Sequence, residues 1–200
     1  MQAVRCNRFG NGRIYECMTN DRTLVTQALD GSAEGFKQLV AQHQALVWHV
    51  VYRMVHNEED ARELSQDVFL RVFQRLGQFR FESSLATWIG RIAYSRAVRH
   101  LERKRLPLVA DEDAVLAVPD PGADSDPLVG TDRARNRARV QAALSRLAPL
   151  PRTIVSLYHL QGLTTAEIAL MTDLPAGTVK SHLFRARQSL KTWLTEEEIT

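Results

Sequence analysis

The sequence has little cysteine and no long hydrophobic run. Its two cysteines among 200 residues, Cys6 and Cys17, both lie near the N-terminus. Their spacing fits neither common zinc sites nor the Cys-x-x-Cys redox motif, so a reducing compartment is expected. No apolar stretch approaches the roughly 18–20 residues that cross a bilayer, and the polar start lacks the apolar segment of a secretory signal. A cytoplasmic protein without membrane insertion is therefore expected.

Signatures of enzymes and cofactor proteins are also missing. The sequence shows no nucleophile paired with a base, no histidine or cysteine cluster with metal-ligand spacing, and no glycine-rich phosphate loop. Catalytic residues, a metal and a cofactor are therefore not expected, and neither is enzyme activity. A content of 44% hydrophobic and 24% charged residues excludes collagen-like, disulfide-dense and wholly disordered chains. The net charge of +3 is too small to indicate a partner by itself.

Helical periodicity accounts for most of the chain, and no alternating run long enough for a strand is present, so the fold class is all-α. Residues 1–17 show no period and are expected to be a flexible N-terminal extension. Thr19 or Asn20 is the expected N-cap of the first helix. The next apolar stripe begins at Phe36 and includes His43, which is expected to be a satisfied core histidine. A third helix is expected to end at Gly77, and a fourth to span residues 87–105.

An acidic segment divides these helices from a second set. Residues 107–130 hold four of the seven prolines and six acidic residues, with no lysine or arginine. This composition is typical of a flexible linker. Two small helical domains are therefore expected, over residues 18–106 and 131–200.

The second half has the pattern of a helix-turn-helix. Thr164 or Thr165 is the expected cap of its third helix, and "TDLPAG" forms the turn. The last helix has a core stripe, Val179, Leu183, Ala186 and Leu190, and a polar and basic face opposite it. Such a face fits the major groove and its phosphates, although isolated basic faces are often merely solvated. The DNA-contacting candidates are Thr178, Lys180, Ser181, His182, Arg185 and Arg187.

A second basic region lies in the first half. Residues 79–106 contain seven lysines and arginines against two acids. Trp88, Arg91, Ser95, Arg99 and Arg103 form one helical stripe, with Arg96 and His100 beside it. An aromatic beside a row of arginines is typical of single-strand binding, where bases stack and cations follow the backbone. The alternative is that Trp88 and Phe79 are core residues.

The preceding helix has the opposite charge. Residues 58–67 hold five acids and only one basic residue, Arg62. This helix is poorly suited to DNA and well suited to a basic protein surface, although a solvated amphipathic helix has the same pattern.

Three segments together resemble one protein family. They are "DARELSQDVFLRVFQRLGQFRFESSLATWIGRIAYSRAVRHLERKR", the acidic linker, and "LTTAEIALMTDLPAGTVKSHLFRARQSLK". In order and spacing they are similar to the extracytoplasmic function (ECF) group of sigma-70 factors. The resemblance implies a region 2-like bundle, a region 4-like helix-turn-helix, and a linker that threads the RNA exit path.

The resemblance also implies partners and residue roles. The partners would be core RNA polymerase (β′ clamp helices and β flap), promoter DNA and an anti-sigma factor, in a stress response. Residues implied to contact polymerase are Asp60, Glu63, Leu64, Gln66, Asp67 and Phe69. Residues implied to recognise and melt the minus-ten element are Phe79, Arg80, Ser83, Ser84, Trp88, Arg91, Ser95, Arg96, Arg99, His100 and Arg103. The second-half candidates would read the minus-35 element.

Two positions depart from the family pattern. Ser95 stands where the family usually has Asn, and Arg99 where it often has Asp, which puts the minus-ten base preference in question. Two other interpretations stay open: a dimeric helix-turn-helix regulator that acts without polymerase, and a nucleic-acid enzyme such as a recombinase, for which no catalytic set is visible.

Overall fold

The computed structural model describes residues 12–105 and 131–196, and within these ranges every regular element is a helix. The expected linker and residues 1–11 lie outside the described residues. The helices are α1 (Gly12–Leu29), α2 (Ala33–Val55), α3 (Glu58–Arg75), α4 (Leu85–Arg105), α5 (Thr131–Ser145), α6 (Pro149–His159), α7 (Thr165–Thr172) and α8 (Ala176–Glu196). The all-α prediction is confirmed.

Two helix ends differ from the sequence expectations. α1 begins at Gly12 and not at a Thr19 or Asn20 cap, so residues 12–17 are helical. Among the side chains that the structure describes in α1, Leu24, Val25 and Ala28 are buried. α3 ends at Arg75, two residues before the predicted end at Gly77. Gly77 lies in the 3-10 turn Leu76–Gln78 that follows, in which Leu76 is buried.

The core of the first half forms around α2. Val47, Val50 and Val51 have no exposed surface, and helical spacing places them against the buried stripes of α3 and α4. The N-termini of α2 and α3 are capped by side chains. Ser32 Oγ accepts a hydrogen bond from Gly35 N at 3.1 Å, and Asn57 Oδ1 accepts one from Asp60 N at 2.9 Å.

His43 lies in this core, as the apolar stripe predicted. It is 5% exposed, and burial lowers its pKa to about 4. The expected satisfaction of the ring is not found, because Nε2 has no hydrogen-bond partner among the described residues. The ring is therefore a neutral core side chain near pH 7.

The second half folds as a helix-turn-helix. Thr164 Oγ1 accepts from Glu167 N at 3.2 Å, and Glu167 Oε2 accepts from Thr164 N at 2.9 Å, which is a capping box at the start of α7. Asp173 turns the chain toward α8 in a left-handed conformation, with φ of 58°. Of the predicted core stripe of α8, Val179, Leu183 and Ala186 are buried and Leu190 is half-buried.

The two halves pack against each other, α2 on α6 and α4 on α7. A Cβ on Gly90 would lie 2.7 Å from Met171 Cε, which shows how closely α4 and α7 approach. Arg152 Nε donates to Arg53 O at 2.7 Å, and Arg53 Nη1 donates to Gln141 Oε1 at 2.7 Å. We call this contact between the halves the seam.

The α2–α6 part of the seam buries polar groups, whereas the α4–α7 part packs Gly90 against the buried Met171. Arg53 and Arg152 are 6% and 4% exposed. Neither pairs with a carboxylate of the described residues. Burial, and then the charge of Arg53, lower the pKa of Arg152 to about 10. Ser156, one turn after Arg152, is buried with no partner for its hydroxyl among the described residues. Since unpaired buried polar groups disfavour burial, these polar groups weaken the α2–α6 part of the seam.

Candidate nucleic-acid interface

α4 carries two separate rows of polar and basic side chains. The predicted stripe lies on the open side: Arg91, Arg99 and Arg103 are exposed, and Trp88 and Ser95 are half-buried. Arg91 reaches Asp173 of the helix-turn-helix at 3.3 Å, although both side chains remain largely exposed. The structure therefore keeps this stripe open to a ligand from solvent.

The other row faces α3 and its acids. Arg96 Nε lies 2.5 Å from Asp67 Oδ2, and Lys104 Nζ lies 2.5 Å from Asp60 Oδ2. His100 Nε2 lies 3.4 Å from the same Asp60 oxygen. Arg96 and His100, which the sequence analysis grouped with the stripe, thus lie on a different face, and Asp60 and Asp67 are engaged within the chain.

These ion pairs border a cleft of about 540 Å³ between α3 and α4, lined by both signs of charge. Partial burial raises the pKa of Asp60, but the hydrogen bonds and charges of Lys104 and His100 outweigh it. The net pKa of Asp60 is lower than usual, so the carboxylate is ionised near neutral pH and holds its cations.

The loop between the 3-10 turn and α4 forms an aromatic cluster. Phe79 is only 8% exposed, so it packs inward, as the alternative of a core position predicted. Its ring lies 4.6 Å from that of Phe81 and 5.4 Å from that of Trp88, between centroids. Phe81 and Trp88 are half-buried, so the cluster presents a partly open aromatic surface at the start of the α4 stripe.

The loop serines and Arg80 differ in their surroundings. Ser84 caps α4, since its Oγ accepts from Thr87 N at 3.1 Å. Ser83 is half-buried, and its Oγ lies 3.4 Å from Ser84 O. Arg80 is exposed. Of these three candidates, Arg80 is the one positioned to meet a ligand without rearrangement.

α3 presents a mixed surface. Glu63 and Gln66 are exposed, Phe69 is half-buried, and Leu64 is buried in the core at 4% exposure. Two residues that the sequence analysis missed, Leu70 and Phe73, are 56% and 59% exposed. They lie outside the buried stripe of α3, and this position in the helical pattern is the signal that could have identified them as exposed. An apolar patch beside acids is suited to a protein partner.

α8 carries its candidates on the face away from its core. Lys180, Ser181, Arg185 and Arg187 are exposed, and Thr178 and His182 are half-buried. Arg187 Cζ lies 5.1 Å from the Tyr158 ring centroid, and its Nε donates to His159 Nε2 at 3.2 Å. Burial, and then the Arg187 charge, lower the pKa of His159. Phe184, 64% exposed, is a further residue that the core stripe did not indicate.

None of the helices in the described parts of the chain is long and apolar enough to cross a membrane. Residues 12–105 and 131–196 bring together no group of three or more His, Cys, Asp or Glu side chains suited to a metal ion.

Two family models match the two halves. The model described as Sigma-70 region 2 matches residues 39–106, and the model described as Sigma-70, region 4 matches residues 137–190. The RNA polymerase sigma-H factor of Pseudomonas aeruginosa is 32% identical over 178 residues, which are 85% of this chain and 91% of the relative. The ECF RNA polymerase sigma-E factor of Escherichia coli K12 is 31% identical over 85% of this chain and 92% of its own.

This chain belongs to the ECF sigma factors of the sigma-70 family. Solved structures share the sigma factor's fold at lower identity. CnrH in complex with the cytosolic domain of CnrY has a TM-score of 0.63 at 24% identity, covering 88% of this chain and 98% of that one. RpoE of Bartonella quintana in complex with the anti-sigma factor NepR has a TM-score of 0.66 at 22% identity, covering 82% and 98%.

Proposed function

We propose that this ECF sigma factor binds core RNA polymerase, directs it to promoters through both of its halves, and opens the minus-ten element. One observation carries the proposal: the open aromatic and arginine stripe of α4 and the acid-free face of α8 belong to the two halves of one chain. The first suits unpaired bases and the second suits duplex. The chain supplies recognition and strand capture, and the chemistry of RNA synthesis belongs to the polymerase in the cytoplasm.

Each half has a separate task. α8 and its capped partner α7 place Lys180, Ser181 and Arg185 against the major groove of the minus-35 element. The loop aromatics and the α4 stripe hold unstacked bases of the minus-ten non-template strand. Because the stripe binds opened DNA better than closed DNA, it shifts the equilibrium toward the open promoter. The acids of α3, with Leu70 and Phe73, form the surface for the polymerase clamp.

The distance between the promoter elements requires the halves to separate. Elements about 25 base pairs apart are about 85 Å apart along B-DNA at 3.4 Å per pair. A packed body of about 160 residues has a radius of gyration of about 15 Å, too small for that distance. The segment 106–130 can extend to about 85 Å, since each residue spans up to about 3.4 Å. We therefore infer that the seam opens when polymerase binds.

Two proteins with this fold have been solved with a partner: CnrH with the cytosolic domain of CnrY, and the sigma factor RpoE with the anti-sigma factor NepR. We propose that an anti-sigma factor likewise holds this chain with its halves together. Such control fits a stress response, in which the factor is released on demand.

Reconstituted transcription tests the proposed function. Purified chain is added to core polymerase on fragments of its own genome, and transcript starts are mapped. Wild type should give starts at promoters sharing two elements, whereas Trp88→Ala should lower open-complex formation by about tenfold, the value of one base stack. Trp193→Ala, also a half-buried tryptophan, is the matched control. Tight duplex binding by a dimer without polymerase would support the helix-turn-helix regulator instead and overturn the proposal.

A further inference from the structure

The first helix reaches into the loop that carries the aromatic cluster. Asp21 of α1 is 4% exposed and lines a small cavity of about 10 Å³ with Phe79, Phe81, Ser83 and Ser84. α1 spans Gly12–Leu29, outside the residues that the two family models match. Its side chains nevertheless form part of the wall behind the proposed base-capturing loop.

Asp21 ties the loop to the start of α4. Asp21 and Leu85, the first residue of α4, line the same small cavity, and burial raises the pKa of the Asp21 carboxyl although a hydrogen bond from the Leu85 backbone partly offsets the rise. Asp21 Oδ1 also accepts from Gln42 Nε2 of α2 at 3.3 Å. The first N–H groups of a helix have no partner within it, so the carboxylate of Asp21 satisfies one of them beside the Ser84 cap at the start of α4. Trp88 follows Leu85 by three residues, and its position depends on that start.

Arg22, the next residue of α1, contacts the loop at Phe81. Its Cζ lies 4.9 Å from the centroid of the Phe81 ring, within the range of a cation–π contact. Phe81 has a φ of 57°, a left-handed conformation that disfavours a bulky side chain. The contact with Arg22 helps to hold Phe81 in this conformation, with its ring against Phe79.

The four side chains form a continuous row: Arg22, Phe81, Phe79 and Trp88, each in contact with the next. A base that stacks on this row gains most if the rings are already in place, because ordering them on binding would reduce affinity. Both ends of the row depend on α1, through Arg22 at one end and through the Asp21–Leu85 bond at the other.

We propose that Asp21 and Arg22 are positioning residues for base capture: they hold the aromatic row in place to receive one unpaired base of the non-template strand. The inference rests on the proposed function, in which this loop and α4 bind opened DNA. Neither residue needs to touch the base, and neither contributes to the minus-35 contact.

The test uses polymerase holoenzyme on pre-opened promoter templates. Single abasic sites are placed in turn along the minus-ten non-template strand, and affinity is measured for each. The affinity of wild-type holoenzyme should fall about tenfold when the abasic site replaces the captured base. In Asp21→Ala and Arg22→Ala the same abasic site should lower the affinity less than threefold, since base capture is already impaired in these variants. Asp21→Asn should restore most of the wild-type sensitivity, because an amide oxygen also accepts from Leu85.

Asp30→Ala is the matched control, because Asp30 is an exposed aspartate just after α1. It should behave as wild type. If wild type is insensitive at every position, the proposed function itself fails. If wild type is sensitive and both alanine variants remain equally sensitive, the function stands and the role of α1 is overturned. If Asp21→Ala does not fold, the exposed Arg22→Ala decides between these outcomes.

Discussion

α4 and α8, the two proposed DNA-reading helices, hold their cations differently. On α4, Arg91, Arg96 and Lys104 each lie within 4 Å of a carboxylate, whereas Lys180 and Arg185 on α8 meet none among the described residues. A free cation is available to DNA phosphates at once, but a paired one must first give up its acid. The difference indicates that α8 is preformed to bind duplex DNA. DNA binding by α4 depends instead on the neighbouring aromatic rings and on those of its arginines that meet no carboxylate among the described residues.

The two halves also differ in their histidines. The first half buries His43 in its core, whereas His159 and His182 of the second half lie at or near the surface. Acid is therefore expected to lower the stability of the first half more than that of the second. This difference gives a direct way to distinguish the stabilities of the two halves.

The largest expected effect is the pH dependence of stability at His43. Its pKa is about 4 when folded and about 6.5 when unfolded, so between these values the unfolded chain binds more protons. The stability is fully present above pH 6.5 and falls as the pH drops toward 4, by on the order of 3 kcal/mol. Denaturant unfolding of the first half, followed across this range, measures it.

His43→Leu, which cannot titrate, is the control for that measurement. Its free energy of unfolding should change less than that of wild type between pH 6.5 and 4. The low pKa of Asp60 contributes at lower pH, below its ordinary value near 3.8, and so does not obscure the comparison. An identical pH slope in the two proteins would contradict the assignment of this effect to His43.

The next effect tests the difference between the cations of α4 and α8. Arg185→Ala should weaken binding of polymerase holoenzyme to minus-35 duplex by about tenfold, the value of one side-chain contact to a base edge. Arg96→Ala is the matched arginine variant on α4, and it should leave this duplex affinity unchanged because Arg96 pairs with Asp67. Equal losses in a duplex-binding titration would remove the distinction between the helices.

The smallest effect concerns the seam. Gln141→Arg removes the acceptor of Arg53 and adds a third positive charge near Arg53 and Arg152. In the free protein, we expect the ratio of molecules with separated halves to molecules with packed halves to rise two- to fivefold. The rise would be seen as a larger radius of gyration in small-angle scattering. Ala138→Arg, exposed on the same helix, is the charge-matched control. If both variants scatter alike, the polar contacts of the seam do not control opening.

Much of the fold was visible in the sequence because it depends on local periodicity. The α8 core stripe was predicted, and three of its four residues are buried. A cap at Thr164 or Thr165 was also predicted, and Thr164 is the cap. The start of α1 was missed because residues 12–17 show no clear helical period in the sequence. Exposed apolar residues, Leu70, Phe73 and Phe184, also escaped prediction, because an apolar residue in sequence is ordinarily assigned to the core.

The amino-acid sequence by itself determined the helices, the helix-turn-helix and the positions of charge, because these follow from spacing along one chain. Tertiary structure decided which charges meet: Arg96 lies against Asp67 and not on the open stripe, and Asp21 reaches Leu85 across 64 residues. Pairings between distant elements depend on how helices cross, and periodicity within one helix carries no information about that crossing.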